Sequence, residues 1–81
     1  MNDSSPSRTV AANARAEIAR LGRTVQPIAE QIGQNRVTLG RRLSGQLPFT
    51  IDEIVALSRV LGVPLATLLD GVEETESKVP A

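Results

Sequence analysis

The chain has 81 residues, 41% of them hydrophobic, no net charge at pH 7, a single aromatic residue (Phe49) and neither cysteine nor histidine. A chain of this length forms one small domain. Without cysteine, its stability must come from apolar packing rather than from disulfides or zinc–thiolate sites. The missing imidazole and thiol groups also remove the usual general base, nucleophile and zinc ligands. We therefore expect no enzyme activity, no metal and no cofactor.

An aliphatic core with almost no aromatic side chains favours an all-α fold over a β-sandwich. No stretch of the sequence approaches the roughly 18 to 20 apolar residues of a membrane span. The opening residues, MNDSSPSR, lack the basic and apolar regions of a secretion signal. We expect a cytoplasmic protein that makes no contact with a membrane.

The zero net charge hides a strong polarity along the chain. Residues 8–49 carry seven arginines and two glutamates (+5), residues 50–81 carry two cations and six carboxylates (−4), and Asp3 adds the last negative charge. The sequence thus predicts a basic half and an acidic end, a distribution compatible with a nucleic-acid partner. Ordinary solvated surface charge is the alternative interpretation of this pattern.

The first predicted helix covers residues 10–21, where apolar residues recur at helical spacing: Val10, Ala14, Ile18 and Leu21. The polar residues before it predict a flexible arm over residues 1–8. Glycines that follow apolar stretches predict the ends of five helices in all: Gly22, Gly33, Gly45, Gly62 and Gly71.

Residues 24–45 read TVQPIAEQIGQNRVTLGRRLSG, two short helical patterns separated by a break of three residues, 33–35. Thr24 and Asn35 stand at N-cap positions, and Pro27 would be the third helical residue, where a missing N–H breaks no intrahelical bond. Two short helices around such a turn are typical of a helix-turn-helix, whose second helix enters the major groove of DNA. This stretch therefore predicts DNA binding.

The fourth predicted helix starts with a capping box, Thr50 with Glu53, and continues with an apolar stripe: Ile51, Ile54, Leu57 and Leu61. We expect Phe49 to fix the preceding loop to the core. The last helix should open with Pro64 as its first residue and bury three leucines: Leu65, Leu68 and Leu69. The globular domain then covers residues 9–71, and residues 72–81 form a flexible acidic tail.

Three groups of residues resemble the Cro/C1-type helix-turn-helix family of phage repressors and related bacterial regulators. They are Ile28-Ala29 with Ile32-Gly33, Thr38-Leu39 with Leu43-Ser44-Gly45, and Leu61-Gly62-Val63-Pro64-Leu65 with Leu68-Leu69. The resemblance covers residues 14–69 and implies a compact five-helix, lambda-repressor-like DNA-binding domain. It also implies a repressor that blocks transcription at operator sites, in the bacterial cytosol or the nucleoid of an infected host.

By this resemblance, Arg36, Val37 and Arg41 contact base edges. Each arginine can donate two hydrogen bonds to a guanine, and the valine can pack on a thymine methyl. We expect Gly40 to let the helix backbone approach the duplex closely. With Ser44, these residues span about 140° of the third helix, away from the inner edge of the Leu39 and Leu43 pair. Solvated arginines are the alternative interpretation.

Contacts with DNA phosphates are expected around this surface, from Thr24, Gln26, Asn35, Ser44, Gln46, Arg23 and Arg42. For Thr24 and Asn35, simple N-capping is an equally good interpretation, and both roles can hold together. Arg42 should otherwise find a carboxylate, with Glu17 and Glu30 as candidates.

The sequence departs from the family pattern at two places. Arg42 and Gln34 stand where the family commonly has apolar residues. Many relatives also pair an arginine of the first helix with a glutamate of the third, at places held here by Ile18 and Leu43. An apolar contact is expected to replace that ion pair, an exchange that is often neutral or stabilising.

Two functions remain open at this point. The first is a sequence-specific regulator that binds double-stranded DNA, with a weak homodimer formed through the last helix or only on DNA. The second is a protein-interaction module, an antitoxin or adaptor, that grips a partner through the acidic tail. Neither requires a small-molecule ligand, and none is evident in the sequence.

Overall fold

The computed structural model describes residues 5–72, which form five helices and no strand: α1 (Pro6–Arg20), α2 (Val25–Gln31), α3 (Arg36–Leu43), α4 (Ile51–Leu61) and α5 (Leu65–Leu69). The predicted all-α fold of five helices is confirmed. None of the helices in this part of the chain is long and apolar enough to cross a membrane. The predicted acidic tail, apart from Val72, and residues 1–4 of the predicted arm lie outside the described residues.

Helix α1 begins at Pro6, four residues before the predicted start. Ser5 caps it, with its Oγ accepting a hydrogen bond from the Arg8 N–H at 3.2 Å, and Pro6 occupies the first turn. A serine cap followed by proline is a favoured helix start, because proline has no N–H to leave unpaired there. Residues 6–8, predicted to belong to a flexible arm, are therefore part of the helix.

All five glycines predicted to end helices have positive φ angles, between 66° and 89°. At Gly62 this left-handed conformation directly follows α4, and a side chain there would be strained. The helix ends inferred from glycine are confirmed.

The core receives one fully buried large side chain from each helix: Val10, Ile28, Leu39, Leu57 and Leu68. Phe49 is also buried, and its N–H donates to the Ser7 Oγ at 2.9 Å, so the loop after α3 is fixed to the first turn of α1 as expected. Every element thus contributes to a single apolar centre, which holds α2 and α3 against α1 and α4.

Several apolar residues predicted to be buried are instead exposed: Leu21, Ile51, Leu65 and Leu69. Leu21 follows the last residue of α1, and Ile51, exposed over 73% of its surface, is the first residue of α4. Both residues lie at the end of a helix, beyond the part that packs against the core. Helix α5 has only five residues, so a single leucine, Leu68, can face the core. Pro64 is the N-cap of that helix rather than its first residue.

Asn13 connects the first helix to the last. Its Nδ2 donates to the carbonyl oxygens of Leu68 at 2.8 Å and Asp70 at 2.7 Å. These two carbonyls belong to the end of α5, where no further helical turn supplies N–H donors. A side chain from α1 thereby completes the end of α5.

Candidate nucleic-acid interface

Helices α2 and α3 pack against each other around a small side chain. Ala29 is buried to 99% on α2, and Gly33, with φ of +73°, lies in the turn that follows. An alanine allows two helices to approach closely, and a glycine accepts a left-handed turn without strain. The predicted pair of helices is confirmed.

The two predicted N-caps behave differently. The Oδ1 of Asn35 accepts hydrogen bonds from the N–H groups of Val37 at 2.7 Å and Thr38 at 3.2 Å, so this side chain caps α3. Thr24 occupies the N-cap position of α2, but its side chain makes no capping hydrogen bond. Asn35 has a structural role that is visible, whereas the exposed Thr24 hydroxyl has none within α2.

Helix α3 has an apolar side and an exposed side. Leu39 and Leu43 are buried, whereas Arg36, Val37, Arg41 and Ser44 are exposed, Val37 over 58% of its surface. Gly40 lies half-buried beside them. We call these five residues, Arg36, Val37, Gly40, Arg41 and Ser44, the reading face. The structure brings together the base-reading residues that the sequence suggested.

Within residues 5–72, the guanidinium groups of Arg36 and Arg41 have no hydrogen-bond or ion-pair partner. Gly40 is not required by packing, since a Cβ added there would meet no atom within 4 Å. Glycine inside a helix nevertheless costs about 1 kcal/mol relative to alanine. The reading face therefore offers an external ligand an open patch of backbone and two cations that have no partner among residues 5–72.

The residues predicted to contact phosphates lie mostly around this face and are exposed. Gln26 donates from its Nε2 to the Glu30 Oε2 at 3.0 Å, and the Ser44 Oγ donates to the Arg41 carbonyl at 3.0 Å. Gln46 is exposed in the loop after α3. The hydrogen bonds of Gln26 and Ser44 are on the surface, where water or a ligand can replace them.

Two arginines expected at phosphates instead form bonds inside the fold. Arg23 donates to the Val60 carbonyl at 2.8 Å and to the Gln31 Oε1 at 3.3 Å, which joins the end of α1 to α4. Arg42 pairs with Glu53, with 3.0 Å between Nε and Oε2, and donates from Nη1 to the Pro48 carbonyl. The guanidinium groups of Arg23 and Arg42 therefore already have partners within the protein.

The expected carboxylate partners of Arg42 were wrong. Glu17 pairs with Arg20 at 2.7 Å on the surface of α1, and Glu30 accepts from Gln26. The partner is Glu53 in the first turn of α4, which follows Arg42 along the chain, across the loop that contains Pro48. Spacing along the chain did not identify it, because the path of this loop decides which carboxylate reaches Arg42.

Gln34 contacts the same carboxylate, because its Nε2 donates to the Glu53 Oε2. Glu53 also closes the predicted capping box, which is confirmed: its Oε1 accepts from the Thr50 N–H at 2.7 Å, and the Thr50 Oγ1 accepts from the Glu53 N–H at 3.1 Å. The two departures from the family pattern, Gln34 and Arg42, thus share one partner. The sequence indicated the capping box, which uses the Oε1 of Glu53. It did not indicate the contacts that Oε2 makes with Gln34 and Arg42.

Ile18 and Leu43 are both buried and line the same mostly apolar groove between α1 and α3. Arg15, at the edge of that groove, donates from Nη1 to the Leu43 carbonyl at the end of α3. Both places are therefore apolar and buried, and they hold no ion pair within the described residues. A third arginine forms an internal bond here, and sequence reasoning had not identified it.

Comparison with known proteins agrees with this geometry. No curated protein matches the chain significantly. The crystal structure of a hypothetical transcription factor, NHTF, from Neisseria is similar, with a TM-score of 0.74 and 20% identity over 99% of this chain and 92% of that one. Residues 15–68 match the helix-turn-helix family HTH_3. Since the match covers most of the chain and includes all of α2 and α3, the protein belongs to this helix-turn-helix family.

Proposed function

We propose that this protein is a transcriptional regulator that binds double-stranded DNA in a sequence-specific manner and inserts α3 into the major groove. One observation carries the proposal: the second helix of the motif presents two guanidinium groups, Arg36 and Arg41, that are exposed and have no partner in the described part of the chain, together with an exposed valine. Each of these side chains would be ordinary alone on a protein surface, but here they lie together on the exposed side of the second helix of the motif. Both features suit a base-edge surface.

The expected contacts follow from the chemistry of the bases. Arg36 and Arg41 each donate two hydrogen bonds to O6 and N7 of a guanine, and Val37 packs on the methyl group of a thymine. Each correct arginine–guanine pair contributes about 1 to 3 kcal/mol of discrimination against other bases. We therefore expect a target with G·C pairs next to a T.

Backbone contacts are proposed for the exposed polar groups around the reading face: Thr24, Gln26, Asn35, Ser44 and Gln46. Thr24 has a free hydroxyl at the start of α2, and the first N–H groups of that helix are available to a phosphate. Asn35 can cap with its Oδ1 and still donate from its Nδ2 to a phosphate. Arg23 and Arg42 are left out of this set because they have internal partners.

We further propose a repressor of the phage type, which acts in the cytoplasm by occupying an operator and excluding RNA polymerase. The structurally similar protein from Neisseria is described as a hypothetical transcription factor, which agrees with a role in transcription. A steric mechanism needs no chemistry beyond binding, in keeping with a chain that has no cysteine or histidine.

A weak homodimer is proposed as the active form. Ile51, Leu65 and Leu69 expose apolar surface at the start of α4 and on α5, and Ile51 and Leu69 line one groove. Exposed apolar patches of this kind are typical of contacts between proteins. Two copies joined there would place their recognition helices at half-sites about one helical turn apart. Sedimentation of the protein with and without DNA tests this point.

The central experiment is selection of bound duplexes from a random pool, followed by measurement of affinity against salt concentration. A regulator should enrich a G-containing motif, and its affinity should fall steeply with salt, since each phosphate contact releases counterions. No enriched motif together with a flat salt response would overturn the proposal. That result would favour the alternative, a protein-interaction module.

A further inference from the structure

We infer that Glu53 is a positioning residue that fixes the orientation of the reading face by holding both ends of α3. The inference is drawn from the contacts among Gln34, Arg42, Pro48, Thr50 and Glu53, which we call the Glu53 cluster. Its consequence for DNA recognition rests on the proposed function, whereas its consequence for the free protein does not.

The Glu53 carboxylate divides its two oxygens between two helices. Oε1 accepts from the Thr50 N–H at 2.7 Å and so belongs to the start of α4. Oε2 accepts from the Gln34 Nε2 and lies 3.0 Å from the Arg42 Nε. The carboxylate is thus anchored by its own helix on one side and reaches the recognition helix from the other.

The two groups that meet Oε2 come from opposite ends of α3. Gln34 lies in the turn just before the Asn35 cap, and Arg42 is the residue before the last of the eight in the helix. Most of the length of α3 therefore lies between the two points of attachment. A helix attached at two such points is restrained from both sliding along its axis and rotating about it. Rotation is what would misdirect Arg36 and Arg41.

The Arg42–Glu53 ion pair of the cluster is partly sheltered from water. The Arg42 and Glu53 side chains expose 20% and 15% of their surface, so water screens their charges less than at an open site. Arg42 also donates to the Pro48 carbonyl, which connects the loop after α3 to the same group. Removal of the Glu53 charge would therefore loosen the turn, the helix and the loop together.

Glu53→Gln tests the inference, with Asp52→Asn as a matched control. Glutamine keeps the size of the side chain and can still close a capping box, but it removes the charge that faces Arg42. Asp52 is the neighbouring carboxylate, is exposed, and has no side-chain partner within residues 5–72. Both variants remove one negative charge, so any general change in attraction to DNA is the same in the two proteins.

The first readout needs no DNA. We expect amide hydrogen exchange within α3 to rise about tenfold in Glu53→Gln relative to exchange in α1, and to stay unchanged in Asp52→Asn. Equal increases in α1 and α3 would mean a general loss of stability and would overturn the inference. Unchanged exchange in α3 would overturn it as well.

The second readout is the ratio of specific to non-specific DNA affinity, measured below the unfolding range. We expect this ratio to fall about tenfold in Glu53→Gln, with an unchanged salt slope, because the bases lose aligned donors while the phosphate contacts remain. A ratio equal to that of Asp52→Asn would overturn the inference. If the unaltered protein binds no duplex, the proposed function fails, and the exchange experiment still decides the role of Glu53.

Gln34→Ala provides a second variant in case Glu53→Gln does not fold. It removes one of the two attachments and leaves the Arg42 ion pair in place. We expect a smaller rise in exchange, confined to the first turn of α3. An increase spread evenly over the molecule, or none at all, would count against the inference.

Discussion

The arginines of this protein fall into two groups whose surroundings differ sharply. Arg36 and Arg41 are exposed on α3 and have no partner within residues 5–72. Arg15, Arg23 and Arg42 donate to the carbonyl oxygens of Leu43, Val60 and Pro48 respectively, and Arg42 also pairs with Glu53. A count of charges along the sequence treats all five as equivalent.

The difference shows that a basic segment is a poor measure of a DNA-binding surface. The excess of +5 over residues 8–49 suggests a large positive face, yet three of its seven arginines act mainly as clamps between helices. Arginine suits that role because its planar head donates several hydrogen bonds while its stem covers apolar surface. The predictions below test the division between the exposed and the internal arginines.

The largest effect is expected from Arg36→Ala combined with Arg41→Ala. Each substitution should lower affinity for the selected duplex roughly 5- to 150-fold, because each removes a bidentate contact with guanine worth about 1 to 3 kcal/mol. Thermal unfolding should change little. The double variant Arg20→Ala with Arg59→Ala removes the same charge from other exposed positions and serves as control. Equal losses in the two proteins would show attraction by net charge alone.

Arg42→Met should act on stability instead. We expect the free energy of unfolding in urea to fall by roughly 1 to 3 kcal/mol, because the Glu53 carboxylate and the Pro48 carbonyl lose a charged donor. The salt slope of DNA binding should not change, since Arg42 contacts no phosphate in this arrangement. A slope reduced by about one unit would return Arg42 to the group of DNA-contacting arginines.

Asn35→Ala and Thr24→Ala form a matched pair that separates capping from DNA contact. Asn35→Ala should reduce the free energy of unfolding by about 1 kcal/mol because it removes the cap of α3. Thr24→Ala should change it by less than about 0.5 kcal/mol, as its side chain makes no cap, and should still weaken DNA binding. A Thr24 variant with unaltered DNA affinity would leave its side chain without either role.

Gly40→Ala is expected to have a small effect, with opposite signs for folding and binding. Alanine fits without a clash and should raise the free energy of unfolding by roughly 0.5 to 1 kcal/mol. It should lower DNA affinity if the duplex approaches the helix backbone at this point. Calorimetry and a binding titration of the same sample measure both. Tighter binding would mean that the glycine gives no room to DNA.

Helix ends and caps could be predicted from the sequence because they depend on local chemistry. The glycines at positive φ, the Asn35 cap and the Thr50–Glu53 box each involve residues within a few positions of one another. The buried stripe of α1 followed in the same way from spacing. The exposed stripe of α3 was also predictable, since burial of Leu39 and Leu43 dictates which residues face outward.

Contacts between distant segments could not be predicted. Arg42 was assigned to Glu17 and Glu30, whereas its partner is Glu53, because the sequence does not say how the loop after α3 places the start of α4. The exposure of Ile51 and Leu69 depends in the same way on where the packed core ends. The start of α1 is a different case, because the sequence contained a favoured helix start at Ser5-Pro6. The prediction used only the apolar stripe and therefore began the helix four residues too late.

Asn13 has a consequence for how the protein is made. Its amide completes the end of α5 from 55 residues upstream in the chain, and α1 also packs on α3 and α4. Because synthesis proceeds from the N-terminus, α1 leaves the ribosome first but obtains its last partner only when α5 emerges. Nascent chains that stop before residue 68 therefore lack this closing contact. The side-chain connection between α1 and α5 is therefore complete only after synthesis has passed residue 70.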